Sequence, residues 1–80
     1  MRLVELFTKA GCHLCDDAHE ALERVRAQEH FDLKIVDIET DPALIEEYGL
    51  EIPVIVVDGR KLAKYRVDES ALLKRLKAPQ

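Results

Sequence analysis

The sequence predicts a single α/β domain, ordered β-α-β-α-β-β-α, with one four-stranded mixed sheet and helices on both faces. Three observations predict it. Runs of strand length rich in aliphatic residues occur at 3–7, 33–38 and 53–57. Segments with helical spacing separate or follow them. Asp58-Gly59 then gives a two-residue hairpin signal between two extended runs. A chain of 80 residues buries only roughly 60% of its unfolded surface, so one domain over residues 1–80 is expected.

Leu3-Val4-Glu5-Leu6-Phe7 reads as the first strand, and Thr8-Lys9-Ala10-Gly11 as a loop. From His13 to Glu29, Cys15, Ala18, Leu22 and Val25 fall on one helical stripe. Asp16, Asp17, Glu20, Arg24 and Gln28 face away, and Glu20 with Arg24 forms an i,i+4 pair in the favourable order. Leu33–Ile38 is the second strand, apolar enough to suggest burial on both faces. Asp41 caps a short helix with Pro42 at its first position, and Tyr48-Gly49 ends it, Gly49 being able to take the left-handed conformation. Pro53–Val57 is the third strand. Lys61–Val67 returns as a charged edge strand, where charge deters pairing with other chains. Asp68 caps the last helix, with Leu72, Leu73 and Leu76 inward and Lys74, Arg75 and Lys77 at its C-terminal end.

Composition narrows the function. Hydrophobic residues make up 48% and charged residues 35%, a globular balance. No apolar run approaches the roughly 18–20 residues of a membrane span. The start, Met1-Arg2-Leu3-Val4-Glu5, meets an acid too early for a secretory segment, so a cytoplasmic location is expected. Residues 1–58 carry 5 basic and 14 acidic side chains, and residues 59–80 carry 7 and 2. The overall charge of −4 argues against a nucleic-acid domain. The basic tail reads as a solvated face that offsets the acidic body, or as a docking surface for an acidic partner.

The two cysteines, Cys12 and Cys15, carry the chemistry. A bridge between them closes a four-residue loop worth about 2 kcal/mol of chain entropy, a poor staple. Cys-X-X-Cys after a strand and opening a helix is a redox arrangement. Residues i and i+3 are neighbours on a helical turn, so a disulfide opens and closes there with little backbone movement. Cys12 sits at the helix N-terminus, where the dipole favours thiolate, and is assigned as the nucleophile. Cys15, on the apolar stripe, is assigned as the resolving thiol. Lys9, and His13 when protonated, add positive charge, whereas Asp16 and Asp17 oppose it. Cys12, Cys15 and His19 also have a ligand-like spacing, but a closed zinc site needs four ligands and His30 lies at the far end of the helix. No resident metal is assigned.

Leu6-Phe7-Thr8-Lys9-Ala10-Gly11-Cys12-His13-Leu14-Cys15, Ile52-Pro53-Val54 and the Asp58-Gly59 hairpin together resemble the glutaredoxin-like branch of the thioredoxin superfamily over nearly the whole chain. It looks most similar to its small members with a Cys-His-Leu-Cys-Asp motif. The resemblance implies a thioredoxin fold with the first strand central. It implies that Pro53 is cis beside the cysteines, that Ile52 offers its backbone to a substrate chain, and that Cys12 attacks while Cys15 resolves. Lys9, His13, Ile52 and Pro53 make up the expected substrate-binding set.

The chain departs from the glutaredoxin pattern at three places. His13-Leu14 stands where Pro-Tyr is usual, Glu51-Ile52 where Thr-Val is usual, and Tyr65-Arg66-Val67 where a glycine pair precedes the acid matched by Asp68. The buried acid of thioredoxins is replaced by Leu6. Glutathione is thus a possible co-substrate, with Glu51 placed against its negative charge, and no bound cofactor is expected. The expected activity is thiol–disulfide exchange on protein disulfides or glutathione mixed disulfides. The expected partners are disulfide-containing proteins and a reductant, either glutathione or a thioredoxin-type reductase system, acting on a monomer without nucleic acid or membrane. The alternative is a thioredoxin-fold binding or assembly module without turnover, holding a metal at Cys12 and Cys15.

Overall fold

The computed structural model describes residues 2–78, so the ends of the expected 1–80 domain lie outside the described residues. The elements are β1 (Leu3–Thr8), α1 (His13–Gln28), β2 (Asp32–Asp37), a 3-10 turn (Ile38–Thr40), α2 (Pro42–Tyr48), β3 (Val54–Val57), β4 (Arg60–Lys64) and α3 (Glu69–Lys77). The strands form one sheet in the order β2-β1-β3-β4, with β1 parallel to β2 and antiparallel to β3.

Side-chain alternation divides the core into two layers. Val4, Leu6, Ile55 and Val57 face α1 and α3, where they meet Ala18, Leu22, Val25, Phe31, Leu72 and Leu76. Phe7, Val54 and Val56 face the other way, against Ile38 with Leu44 and Tyr48 of α2. The Phe7 and Tyr48 rings lie 4.5 Å apart, centre to centre, and tilted. β3 is covered on both faces, which explains its unbroken Val-Ile-Val-Val.

The expected caps form. The Asp41 and Asp68 carboxylates accept from the Ala43 and Ala71 N–H groups at 2.9 and 3.1 Å. Asp58 and Gly59 both take positive φ, 50° and 84°, as a two-residue hairpin turn of this hand requires.

Four expectations are corrected. β2 is not buried on both faces. It is the sheet's edge, where Leu33 and Val36 touch the two core layers only in part and Ile35 is about half exposed. Gly49 does not turn left-handed. It stays right-handed at φ −53°, and its lack of a side chain serves contact, because a Cβ there would press into the Ile45 carbonyl oxygen. Arg24 does not settle on Glu20. Its guanidinium reaches across to α3 and donates to Glu69 from Nη2 to Oε2 at 3.0 Å and from Nε to Oε1 at 3.4 Å, a two-pronged geometry the helical neighbour does not match. β4 ends at Lys64, not Val67, because Tyr65 takes a φ of 71° and turns the chain out of the ladder.

Candidate redox site at one end of the sheet

The sheet register gathers the site. Phe7 pairs with Val54, and Val54 pairs with Lys64. One step further along each strand lie Thr8, Pro53 and Tyr65. The loop before α1, the Ile52-Pro53 segment and the β4–α3 connection therefore leave the sheet at the same end. The Tyr65 N–H donates to the Pro53 carbonyl at 2.8 Å and ties two of these segments together. The Ile52–Pro53 peptide is cis, as the resemblance implied.

Gly11, at φ 79°, swings the chain from β1 into the helix. Cys12 then occupies the cap position of α1, and its Sγ accepts from the Cys15 N–H at 3.1 Å. The sulfur takes the place of the oxygen that usually caps a helix. Both cysteines are free thiols, Cys12 partly exposed and Cys15 buried. Burial pushes the Cys15 thiol up from its ordinary range, and its contact with Cys12 adds to this. Hydrogen bonding from the Thr8 side chain and the Lys9 backbone pulls the other way. The outer sulfur is thus reachable and the inner one is kept protonated. Limiting iodoacetamide at neutral pH should label Cys12 at least about tenfold faster than Cys15, read by peptide mass mapping, because only thiolate reacts. Equal labelling would contradict the assigned order of attack.

The other expected site residues divide. His13 and Lys9 are exposed beside the redox turn. Lys9 lines a cavity of about 230 Å³ with Ile38, Ile45 and Leu50, on the α2 side. Pro53 is fully buried, so its ring offers no surface, while Ile52 is half-buried at the rim. Glu51 is not an isolated negative charge. Lys61 Nζ lies 2.6 Å from one of its oxygens and Lys64 Nζ 3.6 Å from the other, which holds its carboxyl below the usual range. The expected repulsion of an anion by Glu51 is therefore largely matched by two lysines of the basic tail. His19 is exposed and lies 3.9 Å from Glu23. Among the described residues, no three His, Cys, Asp or Glu side chains come together as a metal site, so the ligand-like spacing of Cys12, Cys15 and His19 does not assemble one.

Two residues were not read from the sequence. Thr8 is placed against Cys15 by the end of β1, and a small polar residue four before the first cysteine was its only signal. Tyr65 was noted only as a departure. Its positive φ follows from where β4 must stop, and that depends on pairing with β3.

The model of the glutaredoxin-like domain (DUF836) matches residues 3–77. An uncharacterised protein of Mycobacterium tuberculosis is 35% identical over 74 residues, covering 86% of this chain and 76% of that protein. A glutaredoxin-like protein of Dictyostelium discoideum is 29% identical over 75 residues, covering 86% and 69%. Among solved structures, a structural-genomics protein from X. campestris superposes with a TM-score of 0.79 at 37% identity, covering 95% and 99%. A thioredoxin from Halobacterium salinarum superposes at 0.68 with 22% identity, covering 95% and 72%, a likeness of fold alone. The fold is the thioredoxin fold, as the resemblance implied, with β1 inside the sheet. No helix among the described residues is long and apolar enough to cross a membrane.

Proposed function

This chain belongs to the glutaredoxin-like domain (DUF836) family, and on that footing we propose that it is a thiol–disulfide oxidoreductase working through Cys12 and Cys15. The observation that carries the reading is the asymmetry of the two thiols. Cys12 is partly exposed at a helix N-terminus with a backbone N–H on its sulfur, and Cys15 is buried one turn behind it. In the proposed cycle the Cys12 thiolate attacks one sulfur of a substrate disulfide, and the other sulfur leaves as a thiolate and takes a proton. Cys15, as its own proton leaves, then attacks the Cys12 sulfur and expels the second substrate thiol. The substrate disulfide is reduced by two electrons, and a Cys12–Cys15 disulfide forms. An external dithiol or two molecules of glutathione would return the pair to the reduced state.

Ile52, at the rim beside Pro53, is the proposed backbone contact for the substrate chain, with Lys9 and His13, exposed beside the redox turn, as further proposed contacts. Substrates would be protein disulfides or glutathione mixed disulfides. Neutralisation of Glu51 supports glutathione as a co-substrate more than the bare sequence does. A reducing cytoplasm fits a dithiol with no other cysteines in the chain.

Reduction of insulin, or of a glutathionylated protein, by the wild type and Cys12→Ser tests the reading. Turnover is expected in the wild type and a loss of about three orders of magnitude or more in the variant, the scale of removing a nucleophile. Equal rates, or no turnover by the wild type with either dithiothreitol or glutathione, would overturn it. Stoichiometric metal in protein purified under reducing conditions, lost in Cys15→Ser, would favour the binding-module alternative.

A further inference from the structure

Tyr65 holds a conformation that a bulky side chain rarely takes. Its φ is 71°, in the left-handed region. The turn is fixed by its N–H bond to the Pro53 carbonyl at 2.8 Å, a bond that glycine would make as well and with less steric cost. A ring at this position is therefore not required by the turn. The ring is also not used in the core, since Tyr65 is 44% exposed. Unforced backbone strain of this kind collects at functional sites.

The ring points to a use. It lines a groove of about 250 Å³ between α1 and the β4–α3 connection, and the wall across from it begins with Leu14. Leu14 lies inside the redox turn, between the two cysteines, and is itself 46% exposed. Ala18, Ala21 and Val67 make up the rest of the apolar lining. Two large exposed apolar side chains thus flank a small-residue floor, and one of them, Leu14, belongs to the redox turn itself.

The charges give the groove a direction. Glu69 is taken by Arg24 at 3.0 Å. Arg66, on the same wall as Tyr65, has no ion-pair partner among the described residues, and the Lys64 ammonium lies 5.5 Å from the centre of the Tyr65 ring. The opposite wall carries Asp17, also without a partner among the described residues. A carboxylate entering the groove is attracted to the Tyr65 wall and repelled by the α1 wall.

We propose that Tyr65 is a specificity-determining residue. It forms, with Leu14, the seat for an apolar side chain beside the reacting cysteine of an extended polypeptide substrate, and Arg66 receives an acidic side chain next to it. This inference rests on the thiol–disulfide reading above. It names the substrate class as polypeptides with apolar and acidic residues around the disulfide.

The test is single-turnover reaction of the pre-reduced protein with two peptides, each carrying its cysteine as a mixed disulfide with 2-nitro-5-thiobenzoate. One peptide has leucine and glutamate beside the cysteine, and the other has serine and lysine. Cys12 attacks the peptide sulfur and the coloured thiolate leaves. The wild type is expected to react about tenfold faster with the first peptide, the gain from one apolar side chain seated in a pocket. Tyr65→Gly, which keeps the turn and removes the ring, should cut that ratio to about twofold or less. Tyr65→Phe should preserve it, and Arg66→Glu should reduce it. A wild-type ratio near one, or a Tyr65→Gly protein that keeps the wild-type ratio while slowing both peptides alike, overturns the proposal. Hydroxyethyl disulfide separates the two levels of inference. Reaction with it but no discrimination between the peptides overturns only the role of Tyr65. Failure to react with it or with either peptide overturns the oxidoreductase reading and this inference together.

Discussion

Replacement of Cys15 by serine is expected to convert a turning-over protein into a trap. The geometry separates attack from resolution. Cys12 is the sulfur a substrate can reach, whereas Cys15 is only 3% exposed and held protonated by its burial. With Cys15 present, the mixed disulfide on Cys12 has a thiol one helical turn away, and it is resolved before it accumulates. Without that thiol the adduct has no internal exit. Cys15→Ser mixed with an oxidised protein substrate should therefore yield a one-to-one mixed disulfide through Cys12, visible by non-reducing mass analysis. Turnover with dithiothreitol and an intramolecular protein disulfide should fall by about three orders of magnitude, as for loss of a nucleophile. Cys12→Ser should form no adduct, because the remaining sulfur lies behind the helix turn. An adduct on Cys15 in that protein, or none on Cys12 in Cys15→Ser, would invert or remove the assigned roles. Retained turnover of a glutathione mixed disulfide by Cys15→Ser would show that glutathione itself resolves Cys12.

The same separation bears on pH. A thiol raised by burial loses its proton more readily in the unfolded chain than in the fold. The unfolded state then binds fewer protons as pH climbs past the ordinary thiol range, and stability declines there. Below that range Cys15 is protonated in both states and contributes no pH dependence. The expected slope is thus downward on the alkaline side only.

Much of this was legible in the chain because local signals and the global fold agree. Asp41-Pro42, Asp58-Gly59 and Asp68 each fix a boundary through chemistry confined to two or three residues, and each is observed. The stripe of Cys15, Ala18, Leu22 and Val25 is buried as its spacing required. What failed depends on partners distant in sequence. A run such as Leu33–Ile38 has the same composition whether it lies inside a sheet or at its edge, and strand order decides which. Arg24 has a good neighbour in Glu20 and a better one 45 positions later. Glu51 reads as a bare charge until the hairpin brings Lys61 and Lys64 to it. At the site, the Cys-X-X-Cys turn and Ile52-Pro53 were visible as motifs. The groove beside them was not, because it is made of a helix face and a strand end that no motif links.

Phe31 marks the same boundary on the side of stability, and its replacement should have the largest effect on folding. It follows α1 in a short connection where periodicity offers no guide, so nothing in the local pattern assigns it to the core. Yet it is fully buried among Val4, Leu22 and Val25. The connection is tied on both sides of it. Arg26 Nε donates to the Phe31 carbonyl at 3.1 Å, with its guanidinium 6.0 Å from the ring centre, and the Asp32 N–H donates to the Arg2 carbonyl at 2.9 Å. Phe31 thus locks the end of α1 to the start of β2. Phe31→Ala is expected to cost about 3–5 kcal/mol through lost transfer energy and the cavity left behind. At roughly 0.05–0.15 kcal/mol per residue, a domain of this size has only about 4–12 kcal/mol in total. The variant should therefore be marginal or unfolded, and its urea midpoint should fall steeply. Leu50→Ala is the matched comparison, since Leu50 is 94% exposed and should change stability by no more than about 0.5 kcal/mol. A Phe31→Ala protein within about 1 kcal/mol of wild type would mean that α1 is anchored elsewhere. The end of α1 far from the cysteines would then not be what sets their position.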